Sequence, residues 1–492
     1  MGEKVDQIEF TRSDRQRYRH KLRRCLETLE RLLAEGRFES PRKLMGVEIE
    51  LNLADRDGMP CMVNDEVLDR IASPDFQTEL GQFNIEVNIP PHRLAGPVFS
   101  ELAEELRTSL DYADRKAGES GAHIVMIGIL PTLTDAHMVL ENLSHNPRYT
   151  LLNDQILMAR GEDIQLQIEG IERLVTTSSS IAPEAACTSV QLHLQVTPEN
   201  FASAWNAAQS ISGVQVALGA NSPFLFGREL WRETRPILFE QSCDTRPEEL
   251  IAQGVRPLTW FGERWIDSVV DLFAENVRYF PSLLPICDDE DPLEALDRGD
   301  VPHLRELKLH NGTIYRWNRP VYDVARGKPH LRVENRVLPA GPTVDDILAN
   351  AAFYYGVVRS LVEDELPVWK SLSFEQATEN FHGGARHGIE AELVWPGLGR
   401  VPVTELVLRE LLPRAHRGLE AWGIDARERE QYLGIIEQRC LRRTNGAAWQ
   451  SATFHHFRDR LGLDRLGALR AMTLRYAEHM RGGAPVHTWP VD

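Results

Sequence analysis

The spacing of hydrophobic positions changes several times along the chain, and each change predicts an element. Residues 11–35 set Leu22, Leu26, Leu29, Leu32 and Leu33 at helical intervals, and Gly36 suits the end of that helix. The period then drops to two. In LMGVEIELNLAD (44–55), Val47, Ile49, Leu51 and Leu53 point one way and Glu48, Glu50 and Asn52 the other, which predicts a strand. Arg56-Asp57-Gly58 reads as a turn, and a second alternating run follows in FQTELGQFNIEVNIPP (76–91), with Pro90-Pro91 as its stop. A helix is predicted over 98–117, an apolar strand over 122–130, a strand over 186–197 and a helix over 199–218. Strand signals return over 303–323 and 329–338, a helix follows over 343–365, and 400–480 is mainly helical. The order implies an α+β fold with three parts: an N-terminal helical extension (1–40), a middle part of mixed strands and helices (41–370), and a mainly helical C-terminal region (371–492) packed on it.

Composition narrows the function. The 492 residues carry 55 Lys+Arg against 73 Asp+Glu, a formal net charge of -18. That balance argues against a protein whose main work is gripping nucleic acid or an anionic membrane. The basic half of the first helix accordingly reads as a solvated face, and DDEDPLEALDRGD (288–300) as a solvated acidic loop. No apolar run approaches the ~20 residues that span a bilayer, and MGEKVDQIEFTRSD has no signal-peptide core. The six scattered cysteines form neither a disulfide framework nor a zinc motif, so free thiols in the cytoplasm are expected.

Candidate chemistry comes from where polar residues fall within strands. Glu48 and Glu50 are two apart, so in a strand they share a face at roughly 6.5–7 Å. Glu86 lies between Ile85 and Val87, seven residues after Glu79. In SVQLHLQV, Gln191, His193 and Gln195 share a face, and in LRVENRV Glu334 and Arg336 do so, with Asn335 on the apolar side. A solvent-washed antiparallel sheet would give the same alternation. Across four strands, polar faces limited to Glu, His, Gln and Arg read more naturally as the lining of a cavity. Crowded carboxylates suit Mg²⁺ or Mn²⁺, and an adjacent arginine suits polyphosphate. No G-x-x-x-x-G-K-[ST] motif occurs, which disfavours a P-loop enzyme.

GVEIELNL, the Glu79/Glu86 pair, VQLHLQV, ALGANSPFLFGR (217–228) and RVENRV, in this order, resemble the glutamate–cysteine ligase family of carboxylate–amine ligases. ANSPF followed by Gly227 is the most specific piece; read alone it is a helix end entering a turn at Pro223. The resemblance spans about residues 44–365. It implies a glutamine-synthetase-like fold, a curved antiparallel sheet whose concave face holds ATP and metal ions with helices outside. It also implies metal ligation by Glu48, Glu50, Glu79, Glu86, Glu334 and His193, phosphate contact by Arg336, and substrate binding by Arg235. His193 stays open between metal ligand, phosphate contact and structural residue. Many relatives carry H-V-H-V-G where this chain has Gln191–Gln195, and E-V-R or E-I-R where it has Glu334-Asn335-Arg336.

The activity so implied is transfer of the γ-phosphoryl group of ATP to the γ-carboxylate of glutamate, then attack by an amine, with cysteine as the leading acceptor. A different acid or amine, or a non-catalytic nucleotide-binding relative, are the alternatives; partners are small molecules. Among lesser features, Arg316 and Arg319 in RWNRP are candidates for touching nucleotide or substrate. FHGGARHG (381–388) reads as a surface loop before a phosphate nest, and RRTNGAAWQ (442–450) as a helix-to-helix connection before a closing segment. Cys187 reads as a small buried residue.

Overall fold

In the computed structural model, which describes residues 10–39 and 42–491, the first alternating segment becomes the middle of a seven-stranded antiparallel sheet. β1 (Leu44–Ala54) pairs on one side with β3 (Asn84–Arg93), which also pairs with the short β2 (Phe76–Thr78). On its other side β1 pairs with β7 (Ser189–Val196) as far as Ile49, and from Asn52 onward with β4 (His123–Val125). Beyond β7 lie β13 (Lys328–Pro339) and β12 (Asn318–Ala325), and the whole sheet curls into a half-barrel. Outside it stand the hairpins β5–β6 (Ile164–Glu169, Arg173–Ser178) and β14–β15 (Glu392–Trp395, Gly399–Pro402). Two-residue pairs β8–β9 (Phe224–Leu225, Arg228–Glu229) and β10–β11 (Thr259–Trp260, Tyr315–Arg316) complete the strands.

Alternation in β1 decides which face is which. Val47, Ile49, Leu51 and Leu53 are buried on the apolar side, where helices Pro198–Gly219 and Val344–Val362 pack. Both helices are buried around most of their circumference, so they form the centre of the core rather than a solvent-facing layer. Asn335 enters this apolar side from β13. Its amide donates to Gln215 Oε1 (3.1 Å) and Asn318 Oδ1 (2.8 Å) and accepts from Gln215 Nε2 (3.1 Å), so the buried group is satisfied.

Several expectations change. The 76–91 run is broken at residues 79–83, and its second half continues through Pro90-Pro91 to Arg93. Those prolines sit where the β1–β3 register shifts between Met45 and Val47, so no ladder bond is lost there. The apolar 122–130 stretch is strand only at His123–Val125. The 303–323 segment begins as the helix Arg305–Asn311 before β11 and β12. FHGGARHG is no loop: it closes the helix Phe374–His387. The hairpins β5–β6 and β14–β15 carried no predicted strand.

The acidic segment 288–300 is not simply solvated. Asp291 caps a short helix, Pro292–Asp297, accepting from the amides of Leu293 and Glu294. The basic side of the N-terminal helix Arg12–Ala34 meets it: Arg24 reaches Asp291 (2.6 Å), Arg31 reaches Asp297 (2.9 Å), and Lys21 reaches Glu306 (3.5 Å). Water screens the pairs made by Arg24 and Arg31, so they add little to stability. The helix is held by its apolar seam, with Tyr18, Leu22, Cys25, Leu29 and Leu32 buried; the charges set its orientation. No helix among the described residues is long and apolar enough to cross a membrane.

The helical C-terminal part is tied to the sheet's end through ANSPF. Asn221 Nδ2 donates to Ala340 O (2.7 Å) and Tyr476 Oη (2.8 Å), and Tyr476 Oη donates to Met126 O (2.8 Å). RRTNGAAWQ is a helix-to-helix connection, with Arg443 in the left-handed region and Asn445 capping the helix Gly446–His455. Helices Pro198–Gly219 and Phe374–His387 cross at Gly213 and Gly384; a Cβ on Gly384 would lie 2.3 Å from Gly213 O. Backbone on backbone cannot relax as a side chain can. Gly384→Ala is therefore expected to lower stability by about 1–3 kcal/mol, read as a lower Tm by calorimetry. An unchanged Tm would mean the two helices separate freely.

Candidate active site

The polar side of the half-barrel encloses a cavity of about 370 Å³. Antiparallel register brings its residues together from distant parts of the chain: Glu50 opposite Glu86, Glu48 opposite Gln191, His193 opposite Glu334, and Glu334 opposite Arg319. The helix Pro147–Arg160, the turn Ala182–Ala186 and the segment around Tyr315 close the remaining sides.

One half of this surface is a crowd of uncompensated carboxylates. Oxygens of Glu50, Glu79 and Glu86 lie within 4.8 Å of one another, the one such grouping of metal-ligating side chains among the described residues. Glu50 is held rigidly, Oε2 accepting from the Ser189 amide (2.6 Å) and Oε1 from Gln191 Nε2 (2.9 Å). Glu86 Oε1 accepts from Asn88 Nδ2 (2.6 Å), and Glu79 Oε2 from the Leu80 amide (3.1 Å). Burial pushes the Glu50 carboxyl up to about 7, with Arg336 opposing and Glu86 adding to the rise. Burial, then Glu86 and Glu50, drive Glu79 well above the carboxylate range, and Glu86 is raised by burial and Glu48. Three hard oxygen donors converging where negative charge is this unfavourable fit a divalent cation such as Mg²⁺ or Mn²⁺.

The other half is compensated. Arg319 grips Glu334 with two bonds, Nε to Oε2 (2.9 Å) and Nη2 to Oε1 (2.6 Å), and Arg336 Nη1 reaches Glu334 Oε1 (2.5 Å). Burial disfavours the Glu334 anion, yet these two guanidiniums and His193 hold its carboxyl well below the usual range. Arg332 Nε donates to His193 Nδ1 (3.1 Å), which leaves the ring proton on Nε2, 2.9 Å from Glu48 Oε1. Burial opposes the Glu48 charge as well, and His193 outweighs it, holding the carboxyl down to about 2. Gln191 joins the halves, accepting from Arg336 Nη1 (2.5 Å) while donating to Glu50.

A sequence profile of Glutamate-cysteine ligase family 2 (GCS2) matches residues 44–455. The chain belongs to this family. Two solved structures share its fold. Glutamate–cysteine ligase from Francisella tularensis, in complex with AMP, aligns with a TM-score of 0.55 at 12% identity, over 92% of this chain and 91% of that one. A bifunctional glutathione synthetase from Pasteurella multocida aligns with a TM-score of 0.52 at 12% identity, over 93% of this chain and 55% of that one. This chain thus spans about half the length of the second protein. No curated protein matches the chain in sequence. The family match runs past the 44–365 motif region into the C-terminal helices.

The cavity of this family member gathers Glu48, Glu50, Glu79, Glu86, His193, Arg235, Arg316, Arg319, Glu334 and Arg336 on one lining. They are not equivalent. His193 stands with Glu48 and Glu334 rather than among Glu50, Glu79 and Glu86. Arg316 is committed to Glu275 (2.8 Å) and Asn276, and Arg235 to Glu233 (2.6 Å) and Val337 O (3.0 Å). Cys187 also faces the cavity; burial raises its thiol well above the usual value. Residues missed in the sequence are Arg332, Lys308, Arg305, Arg148 and Glu184. Arg332 shares the Glu334/Arg336 alternation and could have been found by it; the rest lie on helices and a turn without strand periodicity. Lys308 and Arg332 pair with Asp323 (2.8 and 3.3 Å), and Arg305 with Asp288 (2.9 Å).

A carboxyl raised in the folded state keeps its proton at pH values where the unfolded chain has lost it, so stability falls as pH rises through that window. For Glu50 the window runs from 4.5 to about 7. In chelator, the cluster's contribution to Tm is expected to decline between about pH 5 and pH 7.5. Millimolar Mg²⁺ or Mn²⁺ should raise Tm more at the higher pH, and Glu79→Gln should remove that gain. A metal-induced shift equal at both pH values, or intact in Glu79→Gln, would contradict a cation site here.

Proposed function

We propose that this protein is an ATP-dependent, ADP-forming ligase that joins the γ-carboxylate of glutamate to an amine, cysteine being the leading acceptor, through an acyl phosphate. The observation that carries this reading is a single sheet face, in a member of the glutamate–cysteine ligase family, bearing uncompensated Glu50, Glu79 and Glu86 beside Arg319 and Arg336. The complex of the Francisella tularensis enzyme with AMP supports nucleotide use on this fold.

A carboxylate does not condense with an amine in water, because oxide is too poor a leaving group. Phosphorylation of the carboxylate replaces oxide by phosphate. Glu50, Glu79 and Glu86 would hold Mg²⁺ or Mn²⁺, with Glu48, Glu334 and His193 alongside; when bound, the ions would neutralise charge between the β- and γ-phosphates. Arg336 is the group on this chain suited to the phosphoryl oxygens in flight, since its guanidinium is fixed between Glu334 and Gln191 before substrate arrives. Burial disfavours its charge, yet Glu334 and Glu50 raise its pKa, so it stays cationic. Arg319 locks Glu334 in place from the opposite side. Arg235, committed to Glu233, would position the loop near the substrate rather than bind a carboxylate with its full fork.

The test is ADP release from Mg²⁺-ATP in the presence of glutamate and individual amines, with mass spectrometry of the product. Amine-dependent ADP release and a γ-glutamyl product are expected. Glu86→Gln and Arg336→Ala should each cost on the order of 100-fold or more in kcat while the folded state persists by circular dichroism. Absence of nucleotide turnover across a broad panel of acids and amines would sink the assignment.

A further inference from the structure

Two segments that the active cavity does not use, FHGGARHG and RRTNGAAWQ, meet at a second cavity of about 360 Å³. It lies between the end of the helix Phe374–His387, the turn of the β5–β6 hairpin, β9 and the helix Gly446–His455, and no described residue lines both cavities. A volume of this size accepts a small molecule.

The floor of this cavity is charged and satisfied from within. Glu229 is 3% exposed; Oε1 accepts from Arg232 Nη1 (3.2 Å) and Oε2 lies 2.9 Å from His455 Nε2. The same Arg232 nitrogen donates to Ser451 Oγ (2.7 Å), and His455 Nδ1 stands 3.0 Å from Asp459. Burial works against a charge on His455, but the bonds to Glu229 and Asp459 outweigh it and raise its pKa. The buried acid of the floor therefore already serves Arg232 and His455.

The walls are not satisfied. Arg443 and His387 line the cavity and make no side-chain hydrogen bond, ion pair or ring contact among the described residues, and Arg232 Nη2 is equally uncommitted. Glu390, the other acid of the lining, is exposed and pairs with none of them. The backbone holds these donors together. Gly388 has φ +57 and a Cβ there would lie 2.8 Å from Arg232 Cβ, so a glycine lets the end of the His387 helix close on Arg232. The Arg232 amide then donates to Arg386 O (3.2 Å). Ile171 and Ile389 add an apolar flank. Two guanidiniums and an imidazole with donors to spare, beside apolar walls, are complementary to an oxyanion.

We propose that Arg232, His387 and Arg443 form a second ligand site, separate from the active cavity, for the oxyanion head of a small metabolite. The body of that ligand would lie against Ile171 and Ile389. Phosphate and carboxylate offer the same acceptor chemistry, and the experiment separates them. The site stands independently of the ligase reading, since none of its residues belongs to the active cavity.

Isothermal titration in chelator and without nucleotide measures binding of inorganic phosphate and of acetate to the full chain. Arg336→Ala removes a phosphate-facing group of the active cavity, and binding at the second site should survive in that variant. Arg443→Ala should weaken the surviving binding on the order of 10- to 100-fold, the scale of a charged hydrogen bond, and Arg443→Lys should recover part of it. His387→Ala should weaken it as well. Arg443 and His387 have no side-chain bond to lose, so these variants should keep the wild-type Tm. Phosphate binding tighter than acetate assigns the head to a phosphate ester; the reverse assigns it to a carboxylate. Loss of all binding of both anions in Arg336→Ala, or undiminished binding in Arg443→Ala, would overturn the second site.

Discussion

Glu50 and Glu86 face one another across the β1–β3 ladder, with Glu79 beside them, and the rest of the site is organised around that repulsion. Directly opposed like charges destabilise a sheet, and burial makes them worse. The rise of Glu50 from 4.5 to about 7 corresponds to roughly 3 kcal/mol against its charge near neutrality. The register survives because it is fixed from the other side. Val47, Ile49, Leu51, Leu53, Ile85 and Val87 alternate with these acids and are buried. At about 1.5–3 kcal/mol for each large apolar side chain buried, six of them outweigh the repulsion several-fold. A slip by one residue would turn the apolar set into the cavity, so the core dictates where the carboxylates must sit. The strain is left for a cation to relieve.

That division explains why one face can be both stable and poised to bind. Glu48 and Glu334 have partners within the protein, Glu48 beside the His193 ring and Glu334 between Arg319 and Arg336, and their carboxyls are held low without a ligand. Glu50, Glu79 and Glu86 have no ion-pair partner among the described residues, and Arg336 opposes the rise of Glu50 without pairing with it. Gln191 is the hinge of the arrangement: its carbonyl accepts from Arg336 and its amide donates to Glu50, a pairing possible only for a side chain with both functions. A polyphosphate bearing a divalent cation would meet opposite charge at both ends, with the two ends held at fixed separation by backbone register rather than by flexible loops.

Much of this was legible in the sequence because strands carry their faces openly. Period-two alternation in 44–55, 186–197 and 329–338 identified Glu48, Glu50, His193, Glu334 and Arg336 as sharing polar strand faces, and the structure brings them to one surface. Three things were not legible. Pairing partners within the cavity depend on strand order, which alternation does not encode, so Arg319 on Glu334 and His193 on Glu48 could not be read. Arg148 and Glu184 lie on a helix and a turn, where no strand periodicity marks the side that faces the cavity. The acidic 288–300 segment resembled solvent-exposed sequence because its counter-charges, Arg24 and Arg31, lie more than two hundred residues earlier.

The side-chain amides of Asn335 and Gln191 brace the sheet from its two faces. Asn335 puts an amide on the apolar face of β13, where an isolated one would cost about 1–3 kcal/mol. It is not isolated. Gln215 on the helix Pro198–Gly219 exchanges two bonds with it, Asn318 accepts a third, and Asn318 in turn donates to Gln209 and Ser212. A polar network thus links β12, β13 and that helix, directly behind Glu334 and Arg336. Such networks fix geometry more tightly than aliphatic packing, because each bond fails outside a narrow range of angle and distance. Gln191 acts likewise on the opposite face. Asn335 on β13 and Gln191 on β7 thus each supply directional bonds beside Arg336, which argues for a site held rigidly.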